Sequence, residues 1–101
     1  MKINTQSIAL SGMQAAQQRL RSSAHNVANV LTEDFHPERT VQQARTEGGV
    51  SVSVERSATP QSVDLAQEIV NQQLASHQFK AAVRVLETDL GLLGDLLDRT
   101  S

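Results

Sequence analysis

The apolar positions of residues 62–98 recur with helical spacing, and no proline interrupts them. At about 100° per residue they fall into two stripes. One holds Leu65, Ile69, Phe79, Val83, Leu86, Leu90, Leu93 and Leu97. From Phe79 onward it steps 4-3-4-3-4, the seam of a coiled coil. The other holds Val63, Val70, Leu74, Ala81, Val85, Leu92 and Leu96, on roughly the opposite side. The pattern predicts one helix about 50 Å long at ~1.5 Å per residue. A surface helix needs a single apolar face. Two faces imply a helix enclosed within one bundle, or one that closes on its own chain along the first stripe and on neighbouring subunits along the second.

The first helical pattern, from Asn4 to about Val30, carries a narrower stripe that reaches one residue beyond each end. Ile3, Leu10, Met13, Leu20, Ala24, Val27 and Leu31 follow alternating three- and four-residue steps, with Gln6 and Gln17 in the two remaining places. Asn4, Thr5 or Ser7 can cap this helix by accepting a backbone N–H bond. Gly12 interrupts it at a cost of about 1 kcal/mol relative to alanine. Ala15, Ala16, Ala24 and Ala28 are small enough to let another helix approach closely. Asn and Thr residues in Asn26–Phe35 compete with helix continuation, and the residue before Pro37 is pushed out of the α region.

The texture then changes. Val50-Ser-Val-Ser-Val54 alternates with the period of a half-buried strand. Glu47-Gly48-Gly49 marks a turn before it, and residues 39–45 supply an opposing strand. Such a hairpin is marginal alone and needs a surface to lie on. Residues 57–61 form a linker. Ser62 suits the N-cap of the long helix, with Asp64 in a first turn whose dipole favours negative charge.

The fold expected from these patterns is mainly α. It is one domain over residues 1–101, with two long antiparallel helices in a coiled-coil-like hairpin, joined by a short β-hairpin or loop excursion at about 31–61. The first helix covers about 5–30 and the second about 62–98. Met13, Leu20 and Val27 are expected to meet Ile69, Phe79, Val83, Leu86 and Leu90 in an intrachain seam. Val63, Val70, Leu74, Ala81, Val85, Leu92 and Leu96 are left for other molecules. Leu93, Leu96 and Leu97 are expected to project beyond the shorter first helix.

Composition strengthens the case for association. At 101 residues, with two phenylalanines as the only aromatics, a single small core is all that is available. A net charge of −2 with both signs interspersed provides no electrostatic case for nucleic acid or an anionic membrane surface. The absence of cysteine excludes disulfides and thiolate metal sites. No run of about 18 apolar residues suggests membrane insertion, and the N-terminal stretch lacks the continuous apolar core of a cleaved signal peptide.

Candidate chemistry is sparse. His25, His36 and His77 lack regular metal-ligand spacing. Glu33-Asp34 and Asp95 with Asp98 read as solvated charge. No catalytic, cofactor-binding or metal-binding set is expected. Gly91 and Gly94 weaken the long helix beside Leu90 and Leu93, either easing it into fraying or letting another helix come close.

Two stretches resemble the bacterial flagellar axial proteins, the rod and hook family. Ser11–Phe35 is similar to the family's N-terminal signature in Asn26, Ala28, Asn29, Thr32 and Phe35. It departs at His25, where the family usually has asparagine, at Leu31, usually polar, and at Glu33-Asp34, where Pro-Gly is common. Residues 63–98 resemble the family's C-terminal helix in Val63, Asp64, Leu65, Ala66, Glu68, Val70, Ala75, Phe79, Val85, Thr88, Leu93, Leu96 and Leu97, with Ala82 in place of a frequent asparagine.

The resemblance implies a non-enzymatic, minimal rod-like subunit of the flagellar basal body whose terminal helices form the inner core of a helical tube. It implies export through the flagellar type III apparatus without a cleaved signal, a place in the periplasmic rod, and other axial proteins or further copies of itself as partners. The rival expectation is a free-standing helical oligomer, or an adaptor or chaperone for flagellar proteins, which would make a closed assembly.

Overall fold

A computed structural model describes residues 5–100, leaving aside the side chains of Leu93, Arg99 and Thr100. The chain runs α1 (Thr5–Ala28), β1 (Glu38–Ala44), β2 (Val50–Arg56), α2 (Leu65–Thr100). The two strands form one antiparallel sheet, Glu38 opposite Arg56 and Ala44 opposite Val50.

This corrects the expected fold class. The molecule is not two long helices joined by a hairpin. It is a mixed structure in which the 24-residue α1 packs against both the 36-residue α2 and a two-stranded sheet. The physical reason lies in α1, which is sandwiched. One of its faces meets α2 and the next carries both strands.

The sheet is seated on α1 by its turn. Gly48 and Gly49 have φ of 102° and 84°, a region L side chains rarely adopt. A Cβ on Gly48 would lie 2.9 Å from Ile8 Cδ1, and one on Gly49 would lie 2.7 Å from Ser11 Oγ. Both glycines are therefore required for conformation, and Gly49 also for close approach, because Ser11 Oγ is held in place by two hydrogen bonds. Ser11 Oγ donates to Ile8 O at 2.7 Å and accepts from Val50 N–H at 3.1 Å, joining α1 to the start of β2.

The helices run antiparallel. Asn26 meets Glu68, Ser23 meets Glu68 and Gln72, Arg19 meets Asn71, and Gly12 faces Ala82. The face of α1 at this contact reads Ala9, Gly12, Ala16, Arg19, Ser23, Asn26, in 3-4-3-4-3 steps. Each member sits one residue before its counterpart in the expected stripe of Leu10, Met13, Leu20 and Val27, so the true seam is turned by about 100°. On α2 the inward face carries Glu68, Gln72, Ala75 and Ala82, with Phe79 and Leu86 half-buried. Among the described residues, Ala9, Ala15, Ala16 and Ala75 are the buried apolar ones.

Small side chains bring the two axes together, and large residues such as Leu20, Ile69 and Leu90 are left exposed. The stripe on the other side of α1, Ile8, Ser11, Ala15, Gln18 and Ser22, faces the sheet. Ala15 is fully buried there.

A Cβ on Gly12 would lie 3.5 Å from Ala82 Cβ, an ordinary contact. Gly12→Ala is therefore expected to stabilise the fold by about 0.5–1 kcal/mol through helix propensity. A thermal melt monitored by circular dichroism checks this; a lower melting temperature would show that the two backbones cannot give way.

Asp64, not Ser62, caps α2. Its Oδ1 accepts the Gln67 N–H at 3.2 Å. Position 34, where the resembled signature carries glycine, has φ of 54°. Aspartate is among the few L residues that tolerate this left-handed conformation.

Candidate assembly surface

Two features stand out at the level of side chains: a polar lock where α1, α2 and β1 meet, and apolar strips left open along the helix pair.

The lock is centred on Asn26, which is 2% exposed. Its Nδ2 donates to Glu38 O at 2.7 Å and to Glu68 Oε1 at 3.1 Å, and its Oδ1 accepts the Glu38 N–H at 2.8 Å. The amide thus pairs with the backbone of Glu38 as a neighbouring strand would, and it also reaches across to α2. Ser23 Oγ donates to Glu68 O and accepts from Gln72 Nε2. Gln42 of β1 and Gln78 of α2 exchange two hydrogen bonds at 3.1 and 2.8 Å. Beside the lock lies a polar cavity of about 60 Å³, with Arg19, Ser22, Glu38 and Glu68 in its wall.

The other signature residues build the turn that leaves α1. Asn29 Nδ2 donates to His25 O, and Thr32 Oγ1 donates to Asn29 Oδ1 at 3.0 Å. The Phe35 ring stacks at a tilt against His25, with centroids 5.5 Å apart. Ala28 closes the helix and is exposed. Asp64 caps α2, and Leu65, its first residue, is exposed. Asn26 and Glu68, one from each resembling stretch, come into direct contact.

The open strips hold most of the large apolar residues. Of the expected intrachain seam, Met13, Val27, Phe79, Val83 and Leu86 are half-buried, while Leu20, Ile69 and Leu90 are exposed. Leu20 and Phe79 come together with Ala16 and Ala75 in a groove of about 350 Å³ along the side of the pair away from the sheet. Of the second stripe, Val63 is half-buried and Val70, Leu74, Ala81, Val85, Leu92 and Leu96 are exposed. Val85 and Leu92 line a shallow depression with Thr5 and Asp89 on the sheet side. Asp89 thus lies level with the start of α1, and the last 11 residues of α2 extend past it. Ile3 and Asn4 lie outside the described residues, as does the side chain of Leu93.

The small-residue seam is what periodicity of large apolar residues missed. Its signal was present in the alanines and in Gly12, at heptad spacing but with little hydrophobic weight. Among the described residues, no group of three His, Cys, Asp or Glu side chains is placed to hold a metal ion, and no helix is long and apolar enough to cross a membrane.

No family model matches this chain, and no curated protein proves similar to it.

Proposed function

We propose that this chain is a structural subunit that assembles through its helices, and that its setting is the rod of the bacterial flagellar basal body. The observation that carries the assembly reading is the surface. The chain exposes 7312 Å², whereas a compact monomer of its mass exposes about 5,600 Å². Its radius of gyration is 17.6 Å, against about 13 Å for a compact domain of 100 residues. The excess includes contiguous apolar strips on both sides of α2, which soluble monomers seldom leave uncovered.

The flagellar setting draws its support from the resemblance, and from the way Asn26 and Glu68 join the two stretches that carry it. In this reading the chain performs no catalysis, leaves the cell interior through the flagellar export apparatus, and packs against other axial subunits or further copies of itself in the periplasmic rod.

The test is association. Light scattering over a concentration series is expected to show a mass that keeps rising, because heterologous contacts do not close. A mass that levels off at a small closed oligomer favours the adaptor or chaperone reading. Val85 and Leu92 are 45% and 60% exposed, so Val85→Asp with Leu92→Asp is expected to keep the helix content and abolish association. If the double variant unfolds, or the wild type stays monomeric throughout, the second stripe is not an assembly surface.

A further inference from the structure

Glu68 is 7% exposed. A carboxylate taken out of water needs hydrogen bonds at its oxygens. Its Oε1 accepts from Asn26 Nδ2 at 3.1 Å. Its Oε2 is buried and has no hydrogen-bond partner among the described residues.

Two donors stand in the same cavity wall without reaching it. Arg19 makes no ion pair with Glu68 among the described residues, and its guanidinium bonds Asn71 Oδ1 at 3.3 Å through Nη2 alone. Ser22 is 3% exposed. Its Oγ accepts from Gln18 Nε2 at 3.4 Å, and no acceptor among the described residues takes its own proton.

The cavity measures about 60 Å³, and a polar site admits one water from about 10–15 Å³ upward. Its walls decide what else it can take. Glu38 and Glu68 oppose an anion, and Arg19 opposes a cation. An apolar guest would leave the carboxylate oxygen unsatisfied. What fits is a small neutral molecule that donates to Oε2 and accepts from a guanidinium at the same time.

From this we infer that the cavity is a built hydration site in which one water bridges Arg19 and Glu68. The water donates to Glu68 Oε2 and accepts from an Arg19 N–H and from the Ser22 O–H. Three partners are the usual number for a buried water. The bridge ties α1 to α2 beside the Asn26 amide and depends on it. The bond at Oε1 sets the direction of Oε2, so the water leaves when Asn26 is truncated. The site belongs to the single chain and forms whether or not copies assemble.

Water-selective NMR on the labelled full chain tests this. Cross-peaks from water to carbon-bound side-chain protons of Arg19 and Ser22 are expected, with the sign of a water that tumbles with the protein. A crystal structure is expected to place that water about 2.7–3.2 Å from Glu68 Oε2. Arg19→Met removes one donor and is expected to abolish the Ser22 cross-peak. Should that variant fail to fold, Ser22→Ala is expected to weaken the Arg19 cross-peak. An Arg19 guanidinium closed directly onto Glu68, a cavity without an ordered water, or cross-peaks that the variant leaves unchanged would each overturn the inference.

Discussion

Asn26→Ala is expected to destabilise the fold by about 3 kcal/mol, more than removing any of its exposed leucines. The side chain makes three hydrogen bonds in a buried setting. Truncation leaves the Glu38 N–H and C=O and the Glu68 Oε1 without that partner, and an unsatisfied buried group costs about 1–3 kcal/mol. Glu68 Oε2 is already buried without a hydrogen bond among the described residues, so the carboxylate has no second contact to fall back on. The isosteric Asn26→Asp keeps the acceptor for the Glu38 N–H but sets a carboxylate against Glu38 O and Glu68, and is expected to be at least as damaging at neutral pH. Asn29→Ala is the control. Its bonds to His25 O and Thr32 are exposed, and its cost is expected below about 1 kcal/mol. Urea unfolding of the three variants checks the order. Equal losses at Asn26 and Asn29 would show that the junction is wetter than its burial implies.

Ala15→Leu is expected to cost about 1–3 kcal/mol or more, whereas Leu20→Ala costs less than about 1 kcal/mol. The usual ranking, in which leucine truncation is the graver change, is inverted here. Ala15 is 0% exposed between α1 and the sheet, and three additional carbons there force the strands away from the helix. Leu20 is 48% exposed, so its truncation in the monomer removes few contacts and leaves an open groove rather than a cavity. The comparison is made at a concentration where the protein is monomeric, by thermal or urea unfolding. A greater loss for Leu20→Ala than for Ala15→Leu would place the core at the large residues after all.

Much of the layout was legible because local rules govern it. The alternation at Val50–Val54 and the glycines before it carry the signature of a strand and a tight turn, and β2 and its turn lie there. Pro37 stands between the helix and the first strand, where its ring forbids helix continuation.

The helix contact was not legible in the same way. Apolar periodicity weights leucine and valine, and in α1 these stand one residue after the seam. Alanine, glycine and serine register weakly on any hydropathy pattern, yet they determine how near two helices can come. The same weighting hid the mixed architecture. Once α1 is recognised as small on two adjacent faces, room for a sheet on the second follows. Asn26 stood out only through the resemblance, with no apolar signal of its own; what it bonds was not readable, because Glu38 and Glu68 are 12 and 42 residues away.

The lock and the extension stand at opposite ends of the molecule, which measures 64 Å in its longest direction. At one end three elements are tied by a single amide; at the other one helix continues past the element that supported it. Cohesion is therefore graded along α2. Glu68 and Ala75 are buried, while Leu90, Leu92, Leu96 and Leu97 past Asp89 are exposed, so local opening is expected to begin at that end. A subunit built this way keeps its shape at one end and leaves the conformational entropy of the other to be spent when the second surface arrives.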